Sequence, residues 1–198
     1  MSRSKKEIIM EIAYNSFVEK GYENTNIRQL CKEAKVEAPT IYYYFESKKG
    51  LFFAVAESLN EKHDELLKEQ IFLDCMMEPQ DRLFELFKFN LLYAKNNPKD
   101  TKFFLRYRLF PPEDITEELI TFQLESSKHR NEIEKKIFDE CLRKGLITKE
   151  RLDIVRKVYD MFVANHCYDT VMFDYCPTDE ELPNIWEYFV KYKIYLPE

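Results

Sequence analysis

A chain of 198 residues, 45% hydrophobic and 33% charged, has enough apolar material for two cores. It has no run of roughly 20 apolar residues such as a bilayer-spanning helix needs, and its first residues, MSRSKKEII, lack the apolar stretch of a secretory signal, so a cytoplasmic protein with no membrane partner is expected. The net charge of -6 argues against a uniformly basic nucleic-acid binder, yet residues 1–50 hold nine Lys or Arg against seven Asp or Glu while residues 51–198 hold 21 against 29.

Five cysteines, Cys31, Cys75, Cys141, Cys167 and Cys176, are scattered without a CxxC pair, which speaks against a disulfide framework or a zinc cluster and for small buried hydrophobes. Three histidines without HExxH spacing, no Gly-rich phosphate loop after a strand and no Gly-x-Ser-x-Gly elbow leave no catalytic constellation, no metal site and no cofactor. With 3 glycines and little strand-like alternation, the chain reads as all-α, about nine helices.

The first helix is expected from Lys5 to Lys20, with Ile8, Ile9, Ile12, Ala13 and Phe17 on one face. A second runs from Ile27 to Ala34, where Ile27, Leu30, Cys31 and Ala34 form one apolar stripe. A turn at Lys35–Glu37 follows, with Val36 as its inward residue. A short third helix begins near Ala38, with Pro39 at its first position, Ile41 and Phe45 facing inward, and Thr40, Tyr43 and Tyr44 facing outward. Two short helices with hydroxyls, amides, cations and tyrosines on their outer positions suit a helix that enters the major groove and reads base edges from its N-terminal residues. Glu37, just before that helix, favours the positive helix end but repels a nearby phosphate.

From Ser47 as N-cap a fourth helix is predicted to run from Lys48 to about Leu73, a rod able to carry a movement. Helices from Pro79 to Asn96, Lys99 to Leu109 and Glu113 to Lys144 follow, the last with a polar middle, Glu125–Glu132, where it bends or breaks. The stretch Lys149–Phe173 is apolar around much of its circumference, and a final helix, Asp179 to Tyr195, repeats this after a Thr178–Glu181 capping box.

Phe17, Gly21, Thr25, Thr40, Ile41, Tyr42, Phe45, Lys48 and Leu51 fall in the order and spacing of the TetR/AcrR family of bacterial transcriptional regulators, and residues 1 to about 55 resemble that family's helix-turn-helix head. The resemblance implies a DNA-binding domain over residues 1–47 and a helical ligand-binding and dimerisation domain over 48–198. Its implied DNA contacts, taken with the outward positions, are Thr25, Asn26, Arg28, Ala38, Pro39, Thr40, Tyr42, Tyr43, Tyr44 and Lys48. It further implies a homodimer through the last two helices, involving Val158, Met161, Asn165, Ile185, Trp186 and Phe189. A cavity for a small apolar or aromatic effector is expected among Phe104, Tyr107, Arg108, Phe122, Tyr159, Phe162 and His166. The expected function is a repressor that binds double-stranded operator DNA and is released by that effector. The competing readings are a helical interaction module that no longer binds DNA, and an all-α enzyme.

Overall fold

The computed structural model describes residues 3–70 and 76–190. Among them are ten α-helices and no strand: α1 (Lys5–Glu19), α2 (Ile27–Ala34), α3 (Ala38–Phe45), α4 (Lys48–Lys68), α5 (Pro79–Asn96), α6 (Pro98–Leu109), α7 (Thr116–Ser126), α8 (Lys128–Arg143), α9 (Leu152–Met172) and α10 (Glu181–Phe189). The tenth arises because the predicted helix Glu113–Lys144 is divided. A 3-10 turn at Glu113–Ile115 leads into α7, and a break at Ser127 separates α7 from α8. The break falls at a Ser-Ser pair, where hydroxyls compete for the backbone; Ser126 Oγ donates to Phe122 O at 2.6 Å. The predicted extensions of α4 through Ile71 to Leu73 and of α10 through Tyr192 and Ile194 to Tyr195, and Cys75, lie outside the described residues.

Helix ends follow local chemistry. Ser4 and Glu7 make a reciprocal capping box on α1 that the sequence reading missed. The expected box before α10 is present, with Thr178 N–H donating to Glu181 Oε2 at 2.9 Å and Glu181 N–H to Thr178 Oγ1 at 3.3 Å.

By packing, the chain divides into two discontinuous units. One comprises Met1–His63 with Lys102–Ser126, the other Asp64–Thr101 with Ser127–Glu198. The core of the first is a ring cluster around fully buried Phe52, which meets Phe17 edge-on at 5.3 Å, Tyr22 at 5.3 Å, Tyr107 at 4.8 Å and Phe103 at 5.4 Å. Two bonds from α6 seize the end of α1: Tyr107 Oη donates to Phe17 O at 2.9 Å and Arg106 Nη1 to Val18 O at 3.2 Å. The Arg106 guanidinium lies over Gly21, whose φ of 86° and missing side chain leave it room.

The second unit packs α5 against α8 and α9 around Leu83, Phe87, Phe138, Tyr159, Trp186 and Phe189. Tyr159 is fully buried, and its hydroxyl donates to Leu83 O at 3.0 Å. Ion pairs Arg82–Glu140 and Lys144–Glu78, each at 2.7 Å, link α5 to α8. Burial pushes the Cys141 thiol up to about 11 and Cys167 to about 12, as suits thiols used as packing groups.

On α8, burial first and then the Asp160 charge raise Glu134 to about 8, against the opposing pull of Arg156 3.7 Å away. A carboxyl whose folded value is raised stabilises the fold fully below its ordinary value near 4.5 and loses that contribution as pH climbs through 8. The thermal midpoint is therefore expected to fall between pH 5 and pH 8, and to fall less in Glu134→Gln. Parallel pH profiles for the two proteins would contradict this assignment.

Candidate nucleic-acid interface

The second and third helices form where the sequence places them, and for local reasons. Asn26 caps α2, its Oδ1 accepting the Arg28 N–H at 2.8 Å. Lys35 closes the helix in the left-handed region, φ 53° and ψ 47°, and Val36 N–H returns to Cys31 O at 3.0 Å. Holding a non-glycine residue there costs about 1 kcal/mol, which the burial of Leu30, Cys31 and Ile41 beside it offsets. α3 starts at Ala38, so Pro39 is its second residue, one later than predicted.

Ile41 is wholly buried and Phe45 nearly so, which forces the intervening side chains outward. Tyr43 is 82% exposed and Tyr42 48%, and the Tyr43 ring leans edge-on against Tyr44 at 5.2 Å. Three phenol groups on one short helix make a surface unsuited to solvent and suited to base edges, thymine methyls and phosphate oxygens. Arg28 and Asn26 are exposed on α2, and Ala38 and Thr40 are half-buried at the start of α3 beside exposed Pro39.

Two of the expected contacts have partners within the protein. Thr25 is buried: its hydroxyl donates to Gly21 O at 2.8 Å and accepts from Ser16 Oγ at 2.9 Å, so it pins the α1–α2 loop and has no proton left to donate to a phosphate. Lys48 is half-buried, its ammonium donating to Glu23 O at 3.2 Å and resting 4.4 Å from the centre of the Tyr22 ring. Burial lowers its proton affinity, with Asp114 and Glu23 acting in the opposite sense. Nothing in the spacing of Thr25 or Lys48 separates an outward from an inward role; only the packing of Ser16 and Tyr22 against them does.

Residues 9–55, the stretch holding this geometry, match the family model described as bacterial regulatory proteins, tetR family. Over 154 residues, 78% of this chain and 70% of the relative, the chain is 27% identical to the Bacillus subtilis protein titled "Probable HTH-type transcriptional regulator YttP". Residues 9–55 are thus similar to the DNA-binding head of the TetR family of bacterial transcriptional regulators. A shorter match, 34% identical over 47 residues, covers 24% of the chain and 25% of IcaR from Staphylococcus aureus, which is described as a negative transcriptional regulator of the biofilm operon icaADBC. In overall fold the chain resembles the crystal structure of a TetR transcription regulator from Haloarcula marismortui, with a TM-score of 0.70 at 20% identity over 96% of both chains.

The remaining TetR-type expectations are placed unevenly. Of the residues assigned to an effector cavity, Phe104 and Phe122 are half-buried against the core of the first unit, and Tyr107 lies within that core. Tyr159 and Phe162 belong to the core of the second unit, so the expected residues are shared between two cores. Arg108 is exposed. His166 sits among rings, 4.4 Å from Phe162 and 5.3 Å from Phe87, and its Nδ1 donates to Phe162 O at 2.8 Å, the arrangement of a packed histidine.

Tyr107 does line a cavity of about 530 Å³, but with Glu23, Arg106, Phe110, Pro111, Glu113 and Asp114 as its other walls. Sequence reading missed these carboxylates because they come from two loops distant in the chain. Of the residues assigned to a dimer interface, Trp186 and Phe189 point inward, 8% and 3% exposed, because α10 spends them on Tyr159 and Phe162. Met161 and Asn165 are exposed, and Val158 and Ile185 half-buried.

Proposed function

We propose that this protein is a homodimeric TetR-type repressor whose α3 enters the major groove of a palindromic operator. The observation that carries the reading is the outward face of α3, with Tyr43 at 82% exposure on a helix otherwise anchored by Ile41 and Phe45. Arg28, Asn26 and Thr40 supply donors and acceptors beside it. Dimerisation is supported by α9, where exposed Ile154, Met161, Asn165 and Met172 follow one another at intervals of seven, four and seven residues and so share one side. Tyr188 on α10 is exposed as well. A twofold dimer meets two half-sites about 34 Å apart, one turn of the duplex. Repression follows the description of IcaR.

Release by a small molecule belongs to the same proposal, supported by the half-open hollow beside Tyr107, where a small molecule would meet both Arg106 and Tyr107. Its lining of Glu23, Glu113 and Asp114 suits a polar, positively charged molecule better than the apolar one the sequence suggested. Arg106 and Tyr107 both face that cavity and hold the end of α1, so an occupant that drew them away would loosen the reading head.

The test is selection of duplexes from a random pool, followed by titration of the best sequence. Tyr43→Ala is expected to weaken the selected site by about tenfold or more, the worth of a good base contact, while leaving binding to unrelated DNA nearly unchanged. Failure of the wild-type protein to enrich any sequence at low salt would overturn the reading and favour a helical module without DNA affinity.

A further inference from the structure

The residue that opens the reading helix is an acid, and the structure leaves its side chain uncommitted to the helix. Ser4 and Asn26 cap α1 and α2 with their side chains, but Glu37, at the same position on α3, caps no backbone amide. The Thr40 N–H is met instead by the Glu37 carbonyl at 2.9 Å. Glu37 is exposed, with φ -87° and ψ 153°, an ordinary extended conformation. It therefore stands at the end of the helix from which major-groove readers address bases.

From the identity of Glu37 and its neighbours we infer that this carboxylate reads a cytosine. An ionised carboxylate only accepts hydrogen bonds, and the major groove offers two donors, cytosine N4–H and adenine N6–H. Adenine places the acceptor N7 beside its amino group, which repels a second carboxylate oxygen. Cytosine places a C–H there, so the acid is selective between them. α3 itself, Ala38–Phe45, carries no Lys or Arg and so has none of the cations that make the commonest contact to guanine. With Arg28 standing on α2 and not on the reading helix, discrimination at a G·C pair facing the start of α3 falls to the acid, acting on the cytosine strand.

The same charge has a second effect of opposite sign, since it repels phosphates and lowers affinity for every sequence. That pair of effects makes the inference testable apart from the proposed DNA-binding function on which it rests. Wild type, Glu37→Gln and Glu37→Ala are put through the same selection, and each is titrated on the wild-type half-site and its single-base variants. The wild-type protein is expected to prefer cytosine at one half-site position by about tenfold. Both variants should reduce that preference to about twofold or less, keep the preferences at other positions, and bind unrelated DNA more tightly than wild type. Thermal unfolding identifies folded variants; the uncharged but similarly shaped Gln variant keeps the test informative should Ala perturb the helix start. A selected half-site with no cytosine-preferring position, or the same cytosine preference in both variants, overturns the inference while leaving DNA binding intact. Absence of any selected site in wild type overturns both.

Discussion

Gly50→Ala is expected to lower the thermal midpoint by about 10 °C and to abolish sequence-selective DNA binding. A Cβ built on Gly50 would lie 2.1 Å from the carbonyl oxygen of Phe45, and that oxygen belongs to the backbone at the end of α3. A side chain could rotate away from such a collision, but here α3 and α4 must separate. Overpacking of this kind costs about 3 kcal/mol, and each kcal/mol moves the midpoint of a chain this size by about 3 °C. Displacing the end of α3 also moves the tyrosines it carries. Gly145→Ala supplies the comparison, since at φ 69° with nothing within 4 Å it meets only backbone strain, of about 1 kcal/mol. A Gly50→Ala protein melting within about 2 °C of wild type would show that the α3–α4 corner is looser than described.

Met161→Glu is expected to yield a folded monomer with operator affinity reduced by about a hundredfold. Met161 is 71% exposed on α9, so a charge there leaves the core of the second unit untouched. In the proposed dimer it meets its symmetry mates across an apolar seam with Ile154 and Met172, and two carboxylates brought there would be desolvated and repelled. The loss on DNA follows from avidity, because joining two reading heads strengthens binding by a factor of about 100 to 10,000. Sedimentation measures the assembly and titration with one selected palindrome measures the affinity. An unchanged dimer would move the interface to another face of the molecule.

The head was the most legible region of the chain because its signals are local. The stripe of Ile27, Leu30, Cys31 and Ala34, Pro39 near a helix start and Ile41 four residues from Phe45 are each sufficient to place an end or a face, and α2 has the bounds expected of it. The surroundings of Thr25 and Lys48 were not legible, because a hydroxyl or an ammonium looks the same in sequence whether it meets a phosphate or Gly21 O and Tyr22. The aromatic residues failed differently. Periodicity tells which side of a helix Phe122 or Phe162 occupies, but not that one serves the core of the first unit and the other that of the second. Trp186 and Phe189 had the pattern of an interface and the surroundings of a core, a choice that depends on how much of α9 their own chain covers.

That α6 and α7 share a core with α1–α3 has a practical corollary for anyone wishing to transplant DNA specificity between relatives. A graft taken only as far as residue 47 would leave behind Phe52, Phe103 and Tyr107, stripping the rings of Phe17 and Tyr22 of the neighbours that keep them dry. The portable cassette is split in the chain, and Lys102–Ser126 must travel with the N-terminal helices whose core it completes.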